Sequence, residues 1–261
     1  ADTDGVDLRF GNAAAMVQMV QSIADRQGLG DLLAEGSYRA AQEIGRGAED
    51  LVVACKKQDY PAHVPQAKRS LALIYAVNPF GADHQSHEHD PSYAPSQDKV
   101  TLDHLAMLGL IHPQEARDLS EEKVRFSLFT EYLYSALDCL GTCQFAWGPT
   151  FQLYGPDELV DGVRAITGWQ TSLAEILQVG ERRLNMLRAF NAREGFTAED
   201  DVLPKKGHQA LVGGATDGVR VTEDEFLRAR AAYYRMAGWD EEGVPRTGTL
   251  ERLGLGWVAA G

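Results

Sequence analysis

The chain has 261 residues, with 25 Lys and Arg against 38 Asp and Glu and a formal charge of −13. Apolar residues make up 44% and charged residues 24%, which excludes wholesale disorder and allows one large domain or two small ones with a real core. The acidic balance argues against nucleic acid and anionic membranes as partners, because both need a basic face. No apolar run approaches the ~20 residues of a membrane span, and no charged-then-apolar leader opens the sequence. The three cysteines, Cys55, Cys139 and Cys143, are too few for a disulfide scaffold, so a reducing cytoplasm is the expected location. A start at Ala1 in place of Met is expected of processing, or of a piece of something longer.

Asn12 suits an N-cap, and Met16, Met19, Val20 and Ile23 recur behind it at helical spacing, predicting an amphipathic helix that ends near Gly28. A second helix is expected over 31–44, stopped by Gly45 and Gly47. The run 51–55 reads equally as a short buried strand or a helical segment. Pro61 and Pro65 make 58–65 irregular, and 70–76 is apolar enough to be a buried helix. It leads into a loop, Asn78-Pro79-Phe80-Gly81-Ala82-Asp83-His84. Residues 85–98 are polar and contain Pro91 and Pro95, which predicts an exposed excursion. A long helix follows Ser120, with Phe126, Phe129, Leu133, Ala136 and Leu137 on one face, and runs into 138–143. Ser172 with Glu175 and Thr222 with Glu225 have capping-box spacing, each ahead of an apolar stripe. Between those two helices, 196–221 reads as a long Gly- and Pro-rich loop. Strand alternation is scarce, and the expected class is all-α (mainly α) and multihelical.

Two stretches carry chemistry. In Asp138-x-x-Gly141-x-Cys143 a carboxylate sits at the negative end of a long helix, where the dipole favours cations. It calls for a donor, such as an amine on a ligand. Gly141 lets backbone approach a flat ligand closely, and a Cys143 thiolate can bind a metal or cluster. The plain alternative is a helix-end Asp, a turn Gly and a buried Cys; spacing leaves both open. With no second cysteine cluster, this chain alone cannot complete a four-thiolate site. In His84-x-x-His87-x-His89-Asp90, three imidazoles and a carboxylate have the composition of a zinc or iron site. For His87 and His89 the Pro- and Ser-rich setting favours a solvated loop. His84 leaves a short turn behind an apolar segment, so a rigid element aims it, as general acid/base work needs. Trp239 reads as a core anchor, and 240–242 as a solvated turn.

In order along the chain stand Gly28-Leu29-Gly30-Asp31-Leu32-Leu33-Ala34-Glu35-Gly36, Pro79-Phe80-Gly81-Ala82-Asp83-His84 and the Asp138 motif. Phe190-Asn191-Ala192-Arg193-Glu194-Gly195-Phe196-Thr197, Asp200-Asp201-x-Leu203-Pro204 and Tyr233-Tyr234-Arg235-x-x-Gly238-Trp239-Asp240-x-x-Gly243-x-Pro245 follow. Each alone is a weak signal, but the ordered series resembles the C-terminal half of the tungsten-containing aldehyde ferredoxin oxidoreductase family over essentially the whole chain. The resemblance implies the remainder of a middle helical domain over 1–58 and a C-terminal helical domain over 59–261. It implies an enzyme that oxidises aldehydes to carboxylic acids. Tungsten or molybdenum held by two pterins takes two electrons, and a 4Fe–4S cluster passes them to ferredoxin or another carrier.

Carried over by that resemblance, Asp138 binds one pterin, with Gly141 and Thr142 beside it. Cys143 becomes the fourth cluster ligand, and His84 handles the substrate's oxygen or protons. Thr142 stands where the family usually has Leu, and 85–98 resembles an insertion on the substrate side. The family's N-terminal β-rich pterin domain and its three other cluster cysteines are not in these 261 residues. The isolated chain is therefore expected to be inactive and to hold neither metal centre. The expected partners are that N-terminal domain, an electron carrier, a small aldehyde and a second copy of the chain. Two alternatives stand beside this: the same scaffold acting on another substrate such as an aromatic acyl thioester, and a stand-alone helical interaction protein without a redox centre.

Overall fold

A computed structural model of the chain describes residues 3–148 and 153–259. Helix α1 (Ala13–Ala24) starts where the Asn12 side chain accepts the Ala15 N–H at 3.2 Å, the expected cap. Its apolar stripe does not turn into the core as a whole. Met19 is buried, but Met16 and Val20 are each 62% exposed, and Phe10 and Val17 are open beside them. The helix expected over 31–44 is two helices, α2 (Leu29–Leu33) and α3 (Ser37–Ile44). Gly36 separates them at φ 84°, a left-handed value that glycine alone adopts without steric cost. Val6, Ala15 and Met19 form a small core of their own.

The ambiguous run 51–55 contains the end of a 3₁₀ turn (Ala48–Leu51) and then a strand, β1 (Ala54–Cys55), paired antiparallel with β2 (Gln58–Asp59). This is the only sheet among the described residues, and the class is mainly α as expected. Helix α4 (Arg69–Val77) is buried at every residue from Ser70 to Val77. Helix α5 (Lys99–Met107) leads to the spine, α6 (Glu121–Leu140), and then to the short α7 (Gln144–Trp147).

Helix α8 (Pro156–Thr167) precedes α9 (Leu173–Arg193), which lies along α6 in the most extensive helix–helix contact of the fold. Ser172 accepts the Glu175 N–H at 3.3 Å, but Glu175 turns its carboxylate to the Thr171 hydroxyl at 3.0 Å, so this capping box is half-closed. The box at Thr222 closes both ways and starts α10 (Glu223–Ala237); such a cap is worth ~1 kcal/mol. Helices α11 (Thr247–Arg252) and α12 (Gly256–Ala259) end the fold.

Trp239 is the anchor expected of it. It is 1% exposed, donates to the Asn185 side-chain oxygen at 2.9 Å and packs on Tyr233 and Tyr234. Beside it the loop after α9 turns inward at Asp201, which is fully buried and clamped by Lys56 at 2.5 Å and Arg188 at 2.7 Å. Two cations on one carboxylate compensate charges that could not be buried singly.

Candidate functional site

The end of α6 is shaped by a Schellman turn. Gly141 takes φ 67° and donates to the Asp138 carbonyl at 3.2 Å, while the Thr142 N–H reaches the Leu137 carbonyl at 3.0 Å. The Thr142 hydroxyl also donates to Leu137 O, at 3.2 Å, so this residue closes the helix. Cys143 then stands exposed at the start of α7; the plain reading of a buried cysteine at this position is overturned. The Asp138 side chain is 60% exposed and pairs with Arg183 of α9 at 3.2 Å. The donor that a helix-end carboxylate calls for is thus supplied by the protein itself. Arg183 also donates to the Ser135 hydroxyl at 3.1 Å.

The histidine stretch is not the exposed excursion its composition suggests. His87 and Asp90 are fully buried, and Glu88 is 3% exposed. Asp90 pairs with Lys123 of α6 at 3.1 Å, accepts the Ser70 N–H at 3.0 Å and takes the Ser70 hydroxyl. Glu88 accepts the hydroxyls of Tyr134 at 2.5 Å and Ser92 at 3.0 Å. Polar residues can be buried when each meets a partner, and apart from the nearby Ser92 these partners come from α4 and α6, distant in sequence. His87 is held at 3.0 Å from the Ser70 hydroxyl, and complete burial keeps its pKa well below the usual imidazole range.

His84 and His89 are half-buried, and His63, from the irregular 58–65 stretch, joins them. The ring centroids lie 4.7 Å apart for His63 and His84, 4.7 Å for His63 and His89, and 5.9 Å for His84 and His89. His89 Nε2 lies 2.9 Å from the His84 carbonyl and Nδ1 3.2 Å from the Lys68 ammonium. A carbonyl only accepts and an ammonium only donates, so these two contacts suit the tautomer of His89 that carries its hydrogen on Nε2. Partial burial, with His89 beside it, lowers the His84 pKa, against the opposing pull of Asp83. His84 is therefore neutral, and able to take up a proton, at neutral pH.

The two stretches meet. Gln144, next to Cys143, donates from its side chain to the side chain of Gln85, next to His84. Asp83 and Ser86 from the histidine loop line one narrow cavity with Ser135, Asp138 and Arg183. The buried carboxyl of Glu131 opens onto the same cavity. Glu131 lies seven residues before Asp138, two helical turns back on the same face, and that spacing was a usable sequence signal. Arg183 and His63 gave none.

For metal chemistry the donors at this place are one exposed thiol, Cys143, and one exposed carboxylate, Asp138. Cys139 is also exposed at the end of α6. Cys55 is buried, with its pKa pushed up to about 11 by burial and its sulfur 3.3 Å from the Val202 carbonyl, which makes it a packed thiol. Elsewhere, His104, Asp157 and Glu158 bring ligand atoms within 4.8 Å of one another, but Glu158 already caps α8 through the Gly155 N–H at 2.7 Å.

The family model described as aldehyde ferredoxin oxidoreductase, domains 2 and 3, matches residues 1–255, and the chain belongs to that family. The tungsten-containing aldehyde ferredoxin oxidoreductase of Pyrococcus furiosus is 32% identical over 97% of this chain and 38% of its own length. The enzyme of the same name from Thermococcus kodakarensis is 33% identical, again over 97% and 38%. A P. furiosus protein named as the WOR-like subunit of an aliphatic sulfonate oxidoreductase is 25% identical over 97% of the chain and 36% of its own. Among solved structures, the active-site complex BamBC of benzoyl coenzyme A reductase superposes with a TM-score of 0.70 at 22% identity, covering all of this chain and 41% of that one. That likeness establishes the fold alone. The chain spans under two-fifths of the length of the curated relatives it matches. Among the described residues no helix is long and apolar enough to cross a membrane.

Proposed function

We propose that this chain is the C-terminal part of a cytoplasmic tungsten- or molybdenum-bispterin, iron–sulfur oxidoreductase. The complete protein oxidises aldehydes to carboxylic acids and passes the electrons to ferredoxin or a similar carrier. The observation that best supports this is the pair of exposed groups, Asp138 and Cys143, presented across the turn that ends α6 and tied by Gln144 to the His84 loop.

The donor set suits such a cofactor. The Asp138 carboxylate accepts pterin N–H groups and Cys143 offers one thiolate to a cluster. A side chain at position 141 would meet nothing within 4 Å, so the turn there is open to a flat ligand, with Thr142 beside it. The bound centre supplies two-electron redox chemistry and single-electron transfer. His84 takes or returns a proton at the substrate's oxygen, its backbone held by His89. The remaining cluster ligands and the other pterin contacts come from an N-terminal domain, without which the chain is inactive. The uncovered apolar side of α1 supports a fold that continues beyond these residues, with 1–58 as the rest of a middle domain, 59–261 as the C-terminal one, and a second copy as a further partner. An aromatic acyl thioester as substrate is not favoured. The relatives at a third identity are named aldehyde enzymes, and the benzoyl coenzyme A reductase likeness carries fold only.

Two substitutions in the complete protein test this reading. Cys143→Ala is expected to lose most of the cluster iron while the helical circular dichroism stays unchanged; full iron content would overturn the ligand assignment. His84→Ala is expected to cut turnover about 10²- to 10⁴-fold, the usual worth of a general acid or base, with metal content retained. Undiminished turnover would remove His84 from the chemistry.

A further inference from the structure

Aldehyde oxidation by water, RCHO + H₂O → RCOOH + 2 H⁺ + 2 e⁻, sends electrons to a carrier and leaves two protons that need an outlet. The groups that meet at the end of α6 contain one. Glu131 is 1% exposed, accepts the hydroxyl of Tyr233 from α10 and faces the Asn78 side-chain amide at 3.4 Å. Its open side is the cavity of about 30 Å³ that it shares with Asp83, Ser135, Asp138 and Arg183, a volume that admits a water. From that cavity Ser135, Arg183 and Asp138 continue as a hydrogen-bonded and ion-paired chain to the exposed end of α6. At its other side stands Asp83, the neighbour of His84.

We propose that Glu131 is a proton-relay residue: its carboxyl loads from the His84 side of the cavity and unloads towards Asp138 and solvent. The inference rests on the function proposed above for the source of the protons, and on geometry for the route. The relay makes and breaks only O–H bonds. The carboxyl gives its proton to a cavity water or an acceptor on the Asp138 side and takes one back from the Asp83 side, while the electrons leave separately through the carrier. The surrounding charges suit the task. Burial raises the Glu131 pKa to about 8. Asp83 pushes it the same way, while the Tyr233 hydrogen bond and the Lys56 and Arg183 cations pull it down. A carboxyl poised near neutrality exchanges its proton readily in both directions.

The test is an infrared difference titration of the 261-residue chain, which reads the carboxylic C=O directly. A band is expected at neutral pH that bleaches with a midpoint near about 8 and is absent in Glu131→Gln. Asp83→Asn is expected to lower the midpoint and Tyr233→Phe to raise it, so the assignment survives even if Glu131→Gln fails to fold. A band that persists in Glu131→Gln, or a midpoint unmoved by both neighbours, would overturn the proposal. In the complete protein Glu131→Gln is expected to lower kcat about tenfold or more, with KM and metal content held. An amide keeps the packing, so an unchanged kcat means a structural role and sinks the relay. A wild-type protein that oxidises no aldehyde would defeat the proposed function and leave the titration of Glu131 standing.

Discussion

Gly180→Ala is expected to destabilise the protein by about 3 kcal/mol, the upper range for overpacking a tight site, seen as a lowered urea midpoint. Helix propensity alone predicts the reverse, since alanine is favoured over glycine inside a helix by up to ~1 kcal/mol. Geometry decides against propensity. A Cβ at position 180 would lie 1.8 Å from the Tyr132 carbonyl oxygen and 2.9 Å from the Ala136 nitrogen. Both are backbone atoms of α6, which no rotamer change can move aside. The helices must therefore separate along the fold's largest contact. Glu131, Ser135 and Asp138 lie on α6 and Arg183 on α9, so the Asp138–Arg183 pair should loosen as well. Gly162→Ala in α8 is the control: its Cβ would meet only the Trp147 ring at 3.4 Å, and a small gain in stability is expected. Equal, mild effects at the two positions would mean that α6 and α9 do not approach as closely as described.

Gly180 also shows where sequence reading stops. Its crossing partner lies on another helix, and nothing in the stripe of α9 marks one glycine as a backbone contact. What was legible was local: the caps at Asn12, Ser172 and Thr222, the apolar run that makes up most of α4, and the indole of Trp239. Helical periodicity carried straight through Gly36 because one glycine costs a helix only ~1 kcal/mol, yet the chain turns there. The stripe of α1 identifies a helix and not its burial, since periodicity reports an apolar face and not what covers it. At the candidate site, the order Asp138, Gly141, Cys143 could be read from the sequence. Glu131, two helical turns before Asp138 on the same face, could have been placed beside it, whereas Arg183 and His63 could not be assigned as neighbours, because their pairings with Asp138 and His84 join distant segments and are fixed by packing. The largest departure, within 85–98, has the same origin: Pro95, Ser96 and Asp98 are exposed as their composition suggests, but His87, Glu88 and Asp90 are buried, because Ser70, Lys123 and Tyr134 satisfy them from inside.

Asp90→Ala is the strongest test of that buried network and is expected to cost about 3–5 kcal/mol, the range for removing one partner of a buried pair. Asp90 and Lys123 are both fully buried, 3.1 Å apart. With Asp90 gone, Lys123 retains only a long contact to the Gln114 carbonyl, at 3.4 Å, and the Phe126 ring, at 5.4 Å. The Ser70 N–H at the start of α4 loses its acceptor as well. Asp90→Asn should cost less, because the amide oxygen can still accept from Ser70 while the charge is lost. Removing the exposed pair Lys99–Asp103 should be nearly silent, since solvent already screens it. The consequence extends to function: Asp90 pins the loop one residue beyond His89, and His89 holds the His84 carbonyl. In Asp90→Ala at low temperature, where the fold persists, the imidazole NMR resonances of His84 and His89 should therefore shift and broaden. If denaturation shows a loss below about 1 kcal/mol, small against the cost of a stranded buried charge, then Lys123 has found water. The histidine loop would then be held by something other than this ion pair. A full loss of stability with unchanged His84 resonances would separate the anchor from the site, leaving Asp90 a determinant of folding alone.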